Sequence, residues 1–209
     1  MIYIVSAENR RRFHHLLTEM HRQRKAVFID KLKWRLDHSA GLEIDCYDSA
    51  EAIYLIETDP ATASITSSVR LLPTHVPHLL SEHFSDLCDT PAPRGSHVWE
   101  ATRFCPAPAT PIGAPRRALL GRMIAGIIET AFIFGIEQVT YVTDAALAPL
   151  ALRAGWNARA LGPGRGRGRH KIQAFVADIN SEGLRRVRQS YGIGAPLIRF
   201  VPADLAKAA

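Results

Sequence analysis

Glu100 and Arg103 stand three positions apart in His97-Val98-Trp99-Glu100-Ala101-Thr102-Arg103-Phe104, a stretch that alternates apolar and polar side chains and is rich in aromatic and β-branched residues. With Pro93-Arg94-Gly95 before it and Pro106-Ala107-Pro108 after it, the stretch reads as a short strand. A strand with a face to bury gains nothing from two charges unless they are paired or take part in chemistry. Strict alternation sends Glu100 and Arg103 to opposite faces of a sheet. If both serve one pocket, one extra residue must be inserted between them. We therefore expect a β-bulge at Ala101-Thr102, a device common beside active sites. The alternative is an edge strand whose charges are solvated.

Arg24 is a second cation in an unexpected place. Phe13, Leu17 and Met20 form one stripe of a helix expected from about Ala7 to Val27 behind a Ser6 cap, with Leu16 and Val27 beside them. Arg24 continues that stripe next to Phe28, so it needs an anion unless it snorkels to the surface. Anions lie in the aperiodic segment 29–49, a length of loop that is usually functional or disordered. Trp34, Ile44 and Tyr47 argue for order there. Asp45 and Asp48 would repel one another unless an arginine, a metal or a cationic ligand lies close; otherwise they are turn formers. Arg70 could pair with Glu100 or with one of these aspartates. Cys105 is either a nucleophile or a small buried hydrophobe.

These residues need elements to position them. Met1 to Val5 reads as an opening strand, and Ala52–Glu57 and Ser64–Leu72 as two antiparallel strands joined at Thr58-Asp59-Pro60. His78 to Leu87 is a short helical or irregular segment with Leu79, Leu80 and Phe84 turned inward. A long apolar helix follows from about Arg116 to Phe134, closed by Gly135. Gln138–Thr143 is a buried strand, Asp144 caps a helix to about Ala154, and Gly155-Trp156 turns the chain into another strand. Ile172–Val176 is a further strand, Asn180–Ser190 a helix, and the end a ragged tail. Strand and helix alternate, which places the fold in the α/β class.

The chain has 209 residues, 47% of them hydrophobic, enough for one sizeable core, and we expect a single domain over 1–209. The run from Leu119 to Ile136 contains Arg122, Glu129 and three glycines, which argues against a membrane span. A soluble, cytoplasmic protein is expected. Cys46, Cys88 and Cys105 are too scattered for a disulfide framework or a zinc site, and nine histidines show no ligand spacing. His14-His15 and His75-x-x-His78 read as surface and turn residues, so no metal is expected. The net charge of +6 points to an acidic partner, whether nucleic acid, phosphorylated cofactor or acidic protein. Arg165, Arg167, Arg169 and Lys171 sit in a glycine-rich segment that is not a Walker A loop.

Arg24-x-x-x-Phe28, Trp34, Glu43-x-Asp45-x-x-Asp48, Arg70-Leu-Leu-Pro-Thr74, Phe84 and Trp99-Glu100-x-x-Arg103-Phe104 together resemble the signature of the acyl-homoserine-lactone (autoinducer) synthases. The likeness runs through most of the first 105 residues in order and spacing. Beyond them it rests on Thr140, Thr143 and Gly155-Trp156, and the arginine-glycine loop departs from it.

The resemblance implies a fold like that of the N-acetyltransferases: a twisted mixed sheet flanked by helices, with a V-shaped cleft between central strands. It implies that the α-amine of S-adenosylmethionine attacks an acyl thioester and that its carboxylate then expels methylthioadenosine in closing a lactone. Glu100 would be the general base, with Arg103, Arg70, Asp45 and Asp48 in the catalytic network. Arg24, Phe28, Trp34, Phe84, Arg103 and Phe104 would hold S-adenosylmethionine. Thr140, Thr143 and Trp156 would line the acyl site, and Arg165, Arg167, Arg169 and Lys171 would meet acyl carrier protein or the phosphates of coenzyme A. No tightly bound cofactor, no nucleic acid, no membrane and a monomeric state are expected. The rivals are an ordinary acyl-CoA-dependent N-acyltransferase of the same fold, and a basic nucleic-acid-binding module.

Overall fold

A computed structural model describes residues 1–166, 168 and 171–201. Arg167 and Arg169, expected at the donor site, lie outside the described residues. The strands β1 (Ile2–Val5), β2 (Ile53–Thr58), β3 (Ile65–Pro73), β4 (Val98–Pro106), β5 (Gln138–Asp144), β6 (Ala158–Ala160), β7 (Ile172–Asp178) and β8 (Ile198–Phe200) form one sheet in the order β6-β7-β5-β4-β3-β2-β1-β8. Both faces are covered, so every residue of β2 is buried and its sequence is an apolar run with little alternation. Ile53 and Leu55 join the core built on α3 (Ala114–Phe134), while Tyr54 and Ile56 join the one built on α1 (His14–Arg24).

The long helix packs closely because of its glycines. A Cβ on Gly121 would sit 2.2 Å from the ring of Tyr191 in the helix Ser181–Tyr191, and one on Gly126 would sit 2.7 Å from Ile2. The glycines that argue against a membrane span are therefore contact points for a second helix and the sheet. No described helix is long and apolar enough to cross a membrane.

Three boundaries differ from expectation. The first helix begins at His14, not near Ala7, because Asn9 captures the backbone before it: its side chain accepts from Ser6 N at 2.9 Å and donates to Ile4 O and Val201 O. At its other end α1 runs into a π-helical turn, Lys25–Lys31, a form frequent at functional sites. Ile198–Phe200, expected in a ragged tail, form a strand. Glu129 of α3 accepts from Leu197 N and Ile198 N at 2.8 and 3.1 Å, so a buried carboxylate recruits β8 alongside β1.

The centre of the sheet carries the irregularity that matters. β4 and β5 run parallel but pair only from Val98–Ala101 against Gln138–Tyr141, and beyond that point they part. Between the pairs Ser68↔Cys105 and Arg70↔Thr102, β4 uses one residue more than β3. The bulge is thus at Arg103-Phe104, not at Ala101-Thr102. Arg103 adopts φ 56°, the left-handed conformation that lets one residue reverse its side chain. Arg103 consequently joins Glu100 and Thr102 on the α1 face, while Phe104 turns to the α3 core.

Candidate active site

The bulge delivers Arg103 into a closed ring of alternating charge. Arg24 at the end of α1 bonds Glu43 through Nε and grips Asp48 with both terminal nitrogens, at 2.8 and 2.9 Å. Arg103 reaches Glu43 at 3.0 Å and Asp45 at 2.8 Å. Arg70 of β3 grips Asp45 at 2.5 and 3.1 Å and lies 2.9 Å from Asp48, which closes the ring. Three cations and three carboxylates balance. Arg24 is only 1% exposed, so it does not snorkel; its desolvation is offset by paired hydrogen bonds.

The ring also explains how segment 32–52 holds a fixed path without regular structure. His21 donates from Nδ1 to Glu43 O at 2.9 Å, and Glu43 N donates to His21 O. Burial first, and then Arg24, lower the pKa of His21, so the ring is neutral and bonds as an amide-like donor. Asp48 accepts from Asp45 N and Tyr54 Oη, each at 2.9 Å. Although burial opposes ionisation, Arg24 and Arg70 hold the Asp48 carboxyl well below the usual carboxylate range. Asp45 is the most open acid of the ring, its side chain 19% exposed.

Glu100 lies on the same face, two residues from Thr102, whose hydroxyl accepts from Arg70 Nε at 3.0 Å. It is 1% exposed and takes one backbone N–H on each oxygen, from Leu79 at 2.9 Å and Leu80 at 2.8 Å, at the start of α2 (Leu79–His83). Burial pushes its carboxyl up to about 7, against the pull of those two N–H groups and of Arg70 and Arg103. A carboxyl of that strength can take and release a proton near neutrality. His78, expected at the surface, is buried at the head of α2, where Nδ1 meets Val76 O at 2.8 Å. Tyr47 Oη donates to Glu82, tying the acidic segment to the helix that holds Glu100.

Beside the ring, Phe28 stacks on Trp34 with centroids 4.9 Å apart, and Arg103 lies over the Phe28 ring. Trp34 is 48% exposed and presents a free aromatic face. Phe84 does not join this pair; it packs with Leu80 and Leu87. Phe104 lies on the opposite face, in a cavity of about 90 Å³ that opens where β4 and β5 part. Ala101, Met123, Ile127, Tyr141, Thr143 and Trp156 also line that cavity. Thr143 and Trp156 thus share one pocket, but Thr140 does not: it sits across β5, bonded to Trp99 O at 3.4 Å. Arg165 pairs with Asp86 at 2.6 Å, and Lys171 O caps Ala145 N. Cys105 is fully buried and its thiol is pushed up to about 12 by burial, so it is a small hydrophobe and not a nucleophile. Among the described residues no cluster could hold a metal.

Sequence reasoning named Glu43 in the family signature but gave it no role in the site, and it left His21 and Tyr54 out. The signal for Glu43 was its place in the signature Glu43-x-Asp45-x-x-Asp48, where it stands two residues before Asp45.

A family model described as autoinducer synthase matches residues 8–187. An acyl-homoserine-lactone synthase of Rhizobium etli is 34% identical over 172 residues, covering 81% of this chain and 80% of that one. A solved CoA-dependent acyl-homoserine lactone synthase, BjaI, with SAM and isopentyl-CoA, superposes with a TM-score of 0.86 at 25% identity, over 98% of this chain and 95% of that one. A protein of Lactobacillus plantarum assigned as an N-acetyltransferase shares the fold at a TM-score of 0.54 and 14% identity, over 86% of this chain and 99% of that one. With the paired-acid ring, the buried glutamate and the parted central strands already in view, these likenesses establish that the chain belongs to the autoinducer synthase family.

Proposed function

We propose that this chain makes an acyl-homoserine lactone from S-adenosylmethionine and an acyl thioester. The observation that carries the reading is Glu100: a buried carboxyl near pKa 7, on the same sheet face as the arginine–carboxylate ring and next to the opening between β4 and β5. The α-ammonium of the amino acid loses a proton to Glu100, directly or through one water. The amine then attacks the thioester carbon, and the thiol leaves with a proton. The carboxylate of the acylated intermediate next attacks the carbon that bears the sulfonium, and methylthioadenosine departs. The amide and the lactone are thereby formed with no external oxidant or reductant.

The ring positions this substrate. Arg103 and Arg70 offer guanidinium groups to its carboxylate, and Asp45, the most exposed acid, faces its ammonium and sulfonium charges. The exposed face of Trp34 receives the adenine, with Phe28 behind it. Phe104 belongs with Thr143 and Trp156 in the acyl cavity, and Phe84 supports α2. Edge backbone of β4 freed beyond Ala101 can hydrogen-bond the extended thioester arm in the manner of an added strand.

For the donor we favour coenzyme A thioesters over acyl carrier protein, because BjaI, similar over nearly the whole chain, is CoA-dependent. Arg165 and Lys171 suit either donor. We assign the enzyme to the cytoplasm as a monomer without nucleic acid. Purified protein, S-adenosylmethionine and matched acyl-CoA and acyl-carrier-protein donors test this by mass spectrometry. An N-acyl-homoserine lactone from acyl-CoA supports it; product from the carrier protein alone overturns the donor assignment.

A further inference from the structure

Lining the acyl cavity is one polar group whose hydrogen has no acceptor among the described residues. Tyr141 is 6% exposed and lines the cavity, and its hydroxyl has no hydrogen-bond partner among the described residues. The ring itself is fixed, stacked between Trp156 and Phe175 with centroids 5.2 Å away on each side. The indole N–H of Trp156 acts on the phenol but is a donor, already given to Ala151 O at 2.9 Å, and it cannot accept the phenol hydrogen. Burial raises the pKa of the phenol, so it stays protonated and keeps a hydrogen to donate. The other polar groups of the lining are engaged or more open: the Thr102 hydroxyl accepts from Arg70, the Arg103 guanidinium belongs to the ring, and Thr143 is half-buried.

A buried hydroxyl left unmade is costly, and nearly all such groups find a partner. We propose that the partner is an oxygen on the acyl group, and that Tyr141 makes this enzyme prefer acyl chains bearing a keto or hydroxyl substituent over plain chains of equal length. The inference rests on the acyl-transfer function proposed above. The cavity volume of about 90 Å³ sets the size of the group: at roughly 10–15 Å³ per water-sized atom it takes about six to nine non-hydrogen atoms. A six-carbon chain with one oxygen fits that range. A site that pays for an unbonded donor discriminates against the ligand lacking the acceptor more strongly than an apolar pocket discriminates by one methylene.

The test compares kcat/KM for hexanoyl-CoA with that for its 3-oxo, 3-hydroxy and 5-hydroxy derivatives, in the wild type, Tyr141→Phe and Thr143→Val. Tyr141→Phe keeps both stacking contacts and removes only the oxygen. At least one oxygenated donor should be preferred by on the order of tenfold in the wild type. That preference should collapse in Tyr141→Phe and persist in Thr143→Val. Equal use of all donors by the wild type, or a preference that survives Tyr141→Phe, overturns the inference while leaving lactone synthesis intact. Lactone from none of the donors, offered as coenzyme A and as carrier-protein thioesters, overturns the function as well.

Discussion

Replacing Glu100 by glutamine removes a titrating group while nearly keeping its shape, and the consequence can be worked from the site. The folded protein holds this carboxyl at about 7, from an ordinary 4.5, chiefly through burial. Between those values the folded state binds more protons than the unfolded chain, so wild-type stability falls as pH rises across that window. At about 1.4 kcal/mol per pH unit, the full effect is roughly 3 kcal/mol. The glutamine variant also loses something that does not depend on pH: its amide NH₂ faces a backbone N–H from Leu79 or Leu80, a mismatch that costs about 1–3 kcal/mol. The two effects separate by slope. Urea unfolding of both proteins at half-unit steps from pH 4.5 to 8.5 should show the variant gaining on the wild type as pH rises, with most of the change complete by about pH 8. Lactone formation by the wild type should rise over the same interval and be nearly absent from the variant. A stability difference that stays flat from pH 4.5 to 8.5 would refute a raised carboxyl in the fold, whatever the activity shows.

The remaining expectations concern the ring and the thiols. Arg24→Ala leaves Glu43 and Asp48 buried without their shared cation and should cost on the order of 3–5 kcal/mol by denaturant titration; Arg24→Lys, unable to make all three bonds, should fall between. The depressed Asp48 carboxyl contributes stability above about pH 4, its ordinary range, and that contribution is lost as pH falls toward its folded value. Asp48→Asn should therefore flatten the acid limb of the stability profile, as read by thermal unfolding between pH 2.5 and 5. Iodoacetamide followed by peptide mass mapping should label exposed Cys46 in the native protein and spare Cys105 until the chain unfolds.

Much of this site was legible before any coordinates, because buried charge is conspicuous in an apolar pattern. Arg24 on an apolar stripe and Glu100 with Arg103 in one strand each demanded an explanation, and a ring of acids around a bulge supplies both. The bulge lies two residues later than expected because its place is set by pairing with β3, which no pattern within β4 contains. Thr140 and Thr143 were taken together for one pocket, yet their spacing of three separates them. The alternation that requires a bulge between Glu100 and Arg103 has nothing to undo it in β5, whose pairing with β7 is unbroken from Gln138 to Asp144. Phe104 is displaced from the expected group by the same bulge that brings in Arg103. The start of α1 depended on a contact between Asn9 and Val201, separated by nearly the whole chain, and local capping rules do not see such contacts.

The most direct test of the proposed reaction counts its two leaving groups in one vessel. Free thiol and methylthioadenosine, followed together during turnover of purified enzyme with S-adenosylmethionine and an acyl-CoA, should appear in a ratio of one to one, and both should vanish with Glu100→Gln. Thiol released at full rate with no methylthioadenosine would mean an ordinary N-acyltransferase, and would contradict the assignment of lactone closure to this site.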